Sequence, residues 1–327
     1  MSARRLPRSQ RGVALIMAVL IVALATILAV DVGFKAYLDQ RRAATSFALE
    51  QAFEVAKGAE AWAADILKED GTSGTKRDDL TERWATPLPP LPIDGGELEG
   101  QLQDMQGRFN LNSLLVLDTA TGQLRTNQFA YDQLVRLLEL LNLETHWAAK
   151  ITDWIDPDDN PVNNDGAEES IYTSQTPPYR TANMPMTRVS ELLALPGFGM
   201  DRYRRLAPHV TALPSNVTMI NLCTATPYVL DSMGDQTNYT LSIESFTKAR
   251  QNGCVPDKRT FEAELDSANI SPNAKAYYKA HIGEKSDYFE ANVWITIGTT
   301  QFTLYSLLYR NSQTNAVGSL LRSFGTR

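Results

Sequence analysis

Arg4-Arg5-Leu6-Pro7-Arg8-Ser9-Gln10-Arg11-Gly12 runs directly into Val13-Ala14-Leu15-Ile16-Met17-Ala18-Val19-Leu20-Ile21-Val22-Ala23-Leu24-Ala25-Thr26-Ile27-Leu28-Ala29-Val30. Four arginines and no acidic residue precede Gly12, and the 18 residues from Val13 to Val30 carry no charge. At a rise of about 1.5 Å per residue this run forms a helix about 27 Å long, enough to cross a bilayer core. The basic flank predicts a cytoplasmic N-terminus, with everything after Asp31 on the far side. Lys35, Arg41 and Arg42 argue weakly the other way, because acidic residues are interspersed among them. A cleaved secretory signal needs small residues beyond the apolar run, whereas Ala23-Leu24-Ala25 lies inside it. A plain membrane anchor leaves Gly12 unexplained.

A short basic leader ending in glycine before a long apolar helix resembles a type IV prepilin. The resemblance implies cleavage after Gly12 by the prepilin peptidase and methylation of the new amino terminus at Val13. Prepilins normally carry glutamate at the fifth mature position, here Met17, where it pairs with the amino terminus of the neighbouring subunit. A buried, unpaired charge is costly, so a subunit with no neighbour above it gains by lacking that carboxylate. The departure resembles the K-type minor pseudopilin of type II secretion.

Composition bounds the remainder. The 327 residues are 43% hydrophobic, enough for two modest domains beyond the anchor. The leader takes four of the 31 basic residues, leaving 27 against 38 acidic ones, a net charge of −11. Such a surface disfavours nonspecific nucleic-acid binding and suits cations or simple solubility. Cys223 and Cys254 are the only cysteines. In an oxidising compartment they would pair, adding about 2–4 kcal/mol; two buried thiols are the alternative. The three histidines, His146, His209 and His281, are too scattered to complete a zinc site.

Along the chain, Val32 to Lys68 has no proline, and Phe34, Tyr37, Leu38, Phe47, Phe53, Val55, Trp62, Ile66 and Leu67 recur at helical spacing. This predicts one helix of more than about fifty residues, stopping at Gly71–Gly74. Pro87 to Gly96 reads as a proline-rich linker. Weak strand signals follow near residues 97–118. Tyr288–Ile297 and Thr299–Tyr309 alternate clearly, with a turn near Gly298. Between them, residues 124–285 read as mostly helical: Phe129–Leu143, Glu144–Ile155, Thr226–Gly234, Ser242–Asn252, and Ser271 to Gly283, with Ser242 and Ser271 as caps. The expected fold is α+β, a pilin-like long N-terminal helix packed on a small antiparallel sheet, with a large inserted α-helical domain. The expected divisions are a leader at 1–12, a transmembrane part at 13–30, helix and first sheet part at 31–123, the insertion at 124–286, and C-terminal strands at 287–327.

The insertion holds an acidic loop. Asp153-Trp154-Ile155-Asp156-Pro157-Asp158-Asp159 leads into a stretch with Asp165, Gly166, Glu168 and Glu169. Hard cations such as Ca²⁺ take about six to eight oxygens from flexible loops. The spacing is not an EF-hand, and composition alone fits a solvated acidic loop equally well. Paired carboxylates without a sugar cleft do not make a glycosidase. Gly107-Arg108-Phe109-Asn110-Leu111-Asn112, Asp153-Trp154-Ile155-Asp156 and Gly166-Ala167-Glu168-Glu169 also resemble K-type pseudopilins, a family with an inserted α-domain that binds calcium. That resemblance implies calcium ligands among Asp156, Asp158, Asp159, Asp165, Glu168 and Glu169. It further implies a place at the pseudopilus tip beside I- and J-type minor pseudopilins, in the inner membrane with the bulk of the chain in the periplasm. Exoproteins and the outer-membrane secretin become expected contacts.

Val189 to Val210, with Pro196-Gly197-Phe198-Gly199 at its centre, resembles a helix-hairpin-helix, in which backbone N–H groups meet a DNA phosphate. Arg202, Arg204 and Arg205 are at hand, but the acidic chain lacks the basic footprint of a DNA binder. A tip subunit of a type IV pilus or DNA-uptake filament, with the hairpin binding DNA, is therefore the second reading, and under the first no nucleic acid is expected. No Gly-x-Ser-x-Gly elbow, Walker loop or His-Glu-x-x-His motif occurs, so no enzyme is expected.

Overall fold

The computed structural model describes residues 10–73, 77–235 and 238–325. Arg4, Arg5 and Arg8 of the leader lie outside the described residues. Helix α1 spans Gln10–Thr72, 63 residues without a break, or about 95 Å. Gly12, Gly33 and Gly58 sit inside it, weak positions that the flanking alanines and leucines carry. Its first half is apolar and exposed, from Val13 at 59% to Val30 at 66%. The most apolar 18-residue window has a mean hydropathy of 3.1, so the helix is long and apolar enough to cross a membrane.

The second half buries one stripe. Ala52, Ala56, Glu60, Ala63, Ile66 and Leu67 recur at steps of three and four and face a sheet. Alanines along the stripe let the helix lie close to that sheet. Strands β1 (Leu88–Ile93), β2 (Gly96–Asp104), β3 (Tyr288–Ile297), β4 (Thr300–Arg310) and β5 (Val317–Phe324) pair in that order, every pair antiparallel. The sheet is thus a meander with residues 105–287 inserted between two neighbouring strands. Leu98, Val293, Ile295 and Leu304 pack with Ala52 and Ala56. Leu102, Phe289, Ala291 and Leu308 pack with Ala63, Ile66, Leu67 and Trp84. The insertion therefore leaves the sheet beside the last turns of α1, at the end far from the apolar run. Arg322 of β5 clamps the buried Glu60 with two bonds, 2.8 and 2.7 Å. Burial raises the Glu60 pKa, but the bonds from Arg322 and nearby serines outweigh it and leave the carboxyl below its usual range.

Two expectations about the sheet change. Pro87–Gly96 is not a linker: Leu88–Ile93 is the edge strand β1. Proline cannot donate to a ladder, so an edge is where a strand with Pro89, Pro90 and Pro92 fits. At the turn into β2, a Cβ on Gly96 would lie 1.7 Å from the Thr296 carbonyl oxygen, a close approach that only glycine permits. Residues 105–118 do not join the sheet, which ends at Asp104. Phe109, Leu111 and Leu114 are fully buried with Leu134, Leu137, Trp147 and Ile151 in the core of the α-domain. Asn110 and Asn112 hold them there: Asn110 donates to the carbonyls of Pro214 (3.0 Å) and Val217 (2.9 Å), and Asn112 to those of Met186 and Leu213 (both 2.8 Å). The α-domain thus takes in residues 105–123 in addition to the expected 124–286.

Helix ends also differ. Helices α2 (Gln128–Leu140) and α3 (Trp147–Ile155) are followed by α4 (Glu169–Thr173) and α5 (Gly199–Leu206). Next come α6 (Pro227–Ser232), α7 (Ile243–Arg250), α8 (Lys258–Ser267) and α9 (Pro272–Ala280). Ser242 stands at the N-cap of α7 but makes no capping bond with its side chain; its φ of −137° and ψ of 55° lie outside the extended region usual for a cap. Gly283 does not end α9; it pairs in parallel with Asn221. Helix α8 was not foreseen, although Asp257 caps it by accepting from the Thr260 N–H at 2.8 Å. Cys223 and Cys254 form a disulfide. The buried Arg250 braces both sides of it, donating to the carbonyls of Leu222, Ala225 and Val255.

Candidate metal centre

Helix α3 ends where Pro157 forces the preceding residue into extended backbone; Asp156 has φ −80° and ψ 153°. One turn earlier, Asp153 faces inward and is fully buried. Its carboxylate accepts from the N–H of Val162 at 2.9 Å and of Ala167 at 2.7 Å, folding the loop back over the helix end. Gly166 lies against it; a Cβ there would fall 2.1 Å from Asp153 Oδ2 and 2.7 Å from the Pro161 Cβ. The loop thus returns Glu168 to the place where α3 delivers Asp156 and Asp158.

Asp156, Asp158 and Glu168 each offer an oxygen within 4.8 Å of the others. Asp156 Oδ1 and both Glu168 carboxylate oxygens are buried and have no hydrogen-bond partner. Burial, then the charges of Asp153 and Asp158, push Asp156 up to about 7. Burial and the same neighbours push Glu168 up to about 7. Converging carboxylates without donors require a proton or a cation. An all-oxygen set on a loop fits a hard divalent ion such as Ca²⁺.

The other three sequence candidates stand apart. Asp159 and Asp165 are exposed. Glu169 opens α4 and turns to Thr181, accepting from its N–H and hydroxyl at 3.3 Å, and to Arg180 at 3.3 Å. Asp153 was not among the expected ligands, and its role is to shape the loop. Its signal was available, since an acid between Ile151 and Ile155 on the apolar face of α3 must have dedicated donors.

Asp70, Asp78 and Glu82 also converge where the sheet meets the insertion, but Arg310 fills that cluster. Its guanidinium donates to Asp70 at 2.8 Å, to Asp78 at 2.6 Å and to the Ser286 carbonyl at 2.7 Å. The hairpin before α5 is tied inward. Gly197 and Gly199 have φ of +81° and +72°, Phe198 is buried, and Arg202 is held by Glu144 (2.8 and 2.5 Å) over the Trp147 ring. Arg202 is therefore engaged within the α-domain.

A helix long and apolar enough to cross a membrane, a five-stranded meander on its far half, and a helical domain inserted into the meander define a pilin-like α+β fold. The family model described as Type II secretion system (T2SS), protein K matches residues 107–215. Type II secretion system protein K of Pseudomonas aeruginosa is 36% identical over 313 residues, covering 93% of this chain and 90% of the relative. That of Pectobacterium carotovorum is 32% identical over 316 residues, covering 93% and 94%. The solved GspK-GspI-GspJ complex from enterotoxigenic Escherichia coli contains a chain similar at a TM-score of 0.74 and 26% identity, covering 88% of this chain and 100% of that one. The chain belongs to the type II secretion system protein K family.

Proposed function

We propose that this chain is a minor pseudopilin at the tip of the type II secretion pseudopilus, where it starts or caps assembly with I- and J-type partners. The placement of the α-domain carries the reading: it leaves the sheet beside Ile66 and Leu67, at the end of α1 farthest from the apolar run. A bulky domain at that end obstructs a subunit stacked above it, and Met17 supplies no carboxylate for such a neighbour. The name of the solved GspK-GspI-GspJ complex supports the choice of partners. In this reading the prepilin peptidase cuts after Gly12 and Val13 is methylated. The chain spans the inner membrane once, and residues beyond α1's apolar half lie in the periplasm, within reach of exoproteins and the secretin. It acts by assembly and not by catalysis. Ca²⁺ binds Asp156, Asp158 and Glu168 and closes the loop of the α-domain. The family comparisons do not favour the DNA-uptake filament.

The test begins with membranes containing the prepilin peptidase. Intact mass and N-terminal sequencing should show a mature chain starting at Val13 with one added methyl. Co-purification with I- and J-type subunits should then give one copy of this chain per assembly. An uncut Met1, or this chain repeated along a filament, overturns the reading.

A further inference from the structure

Where the α-domain folds against the sheet, a groove of about 360 Å³ opens on the sheet face turned away from α1. Its floor is Tyr305 and Leu307 of β4 and Leu321 of β5, and its opposite wall is the hairpin segment with Arg188, Tyr203 and Arg204. Three features set it apart from a crevice left by packing. Its lining holds three arginines, Arg108, Arg188 and Arg204, against one carboxylate, Glu290, in a chain where acids outnumber bases. No carboxylate among the described residues pairs with Arg188 or Arg204, although Arg202, between them on α5, is fully paired. And Thr211, 1% exposed and lining the groove, has a buried hydroxyl without a hydrogen-bond partner, whereas buried hydroxyls are normally satisfied.

We propose that this groove binds an extended segment of a partner chain in which acidic side chains alternate with apolar ones. In an extended chain successive side chains point to opposite sides. One set would set carboxylates against the guanidiniums of Arg188 and Arg204, in the geometry those forks favour. The other set would cover Leu307 and Leu321, and a main-chain group would satisfy Thr211. The groove also runs beside the sheet edge that remains open. The β1 edge carries Pro89, Pro90 and Pro92, whereas β5 has no proline and, among the described residues, pairs only with β4. That asymmetry suits addition of an extended chain on the β5 side. Nucleic acid fits the groove less well, because the chain as a whole is net acidic and repels a polyanion. The proposal is independent of the metal loop and of the tip reading.

The experiment uses the full mature chain in detergent micelles and a short fluorescein-labelled peptide alternating glutamate with leucine, followed by fluorescence anisotropy. Binding should weaken as salt rises. The Arg188→Glu/Arg204→Glu double variant should lose about tenfold or more in affinity, at circular dichroism and thermal melting unchanged from the parent. Thr211→Val tests the groove without altering its charge and should also weaken binding. The proposal is overturned if the peptide does not bind or the double variant binds equally. Equal binding of the same peptide with lysine replacing glutamate, or preferential binding of a single-stranded oligonucleotide, overturns it as well.

Discussion

Replacing Asp156 by asparagine should reverse its effect on stability according to whether calcium is present. In chelator, Asp156, Asp158 and Glu168 converge within 4.8 Å with no donor for three of their oxygens. An ionised pair at that separation repels by about 3 kcal/mol at an effective dielectric near 20. Raising Asp156 from the usual carboxylate range to about 7 corresponds to about 4 kcal/mol, which partial solvation reduces to about 2. The sign follows from linkage. A carboxyl raised in the folded state costs nothing below its unfolded pKa near 4, and its cost is fully expressed above about 7. The calcium-free parent should therefore lose stability as pH rises from about 4 to 7, and Asp156→Asn should lose less. At pH 8 in chelator the variant should melt higher by about 4–8 °C, taking about 2–4 °C per kcal/mol for a domain of this size. Saturating Ca²⁺ inverts the order. An ion at about a hundred times its Kd adds about 2.7 kcal/mol to the parent, while the variant lacks a charged ligand and gains little. Melting can be followed by the fluorescence of Trp154, which neighbours the site in sequence and packs on Tyr172. If the variant is less stable than the parent by the same amount with and without calcium, Asp156 has only a packing role and the metal assignment fails.

Other perturbations separate the loop's parts from one another and from the junction. Gly166→Ala drives a Cβ into Asp153 and Pro161 and should weaken calcium binding by more than about tenfold in a calorimetric titration. Asp165→Asn, at an exposed position, should leave the affinity within about twofold. Arg310→Met strips the cation from Asp70 and Asp78 and should cost about 3–5 kcal/mol in denaturant unfolding. Retention of parental stability by Arg310→Met would show that the junction carboxylates are solvated.

What could be read from the chain follows the range of the interaction that sets each feature. Helix α1 and the strands Tyr288–Ile297 and Thr300–Arg310 are written in local periodicity, which neighbours reinforce and no distant residue must confirm. The edge strand β1 was hidden because its prolines oppose a strand in every position but one, and only the sheet reveals that β1 occupies that position. Phe109 to Leu115 was misplaced for a related reason. Its alternating apolar residues fit a strand, but the amides of Asn110 and Asn112 bind carbonyls about a hundred residues or about seventy-five away, and those bonds assign it to the helical core.

The acidic loop makes the same point about chemistry. Six carboxylates there look alike in sequence, and their count and charge cannot choose among them. The choice is made by Asp153, whose two oxygens each hold one backbone N–H on opposite strands of the loop, at Val162 and Ala167. Those bonds bring Glu168 back to Asp156 and leave Asp159 and Asp165 in solvent. Burial raises the Asp153 pKa, and the N–H groups of Val162 and Ala167 oppose that rise; a buried acid with two donors costs less than one with none. Asp153 is therefore the carboxylate to which the protein itself supplies donors, and Asp156 and Glu168 hold the oxygens left without them, which the proposed Ca²⁺ site would use. In the proposed centre the organising residue would not itself touch the metal, and its position on the inward face of α3 is what distinguishes Asp153 from its neighbours.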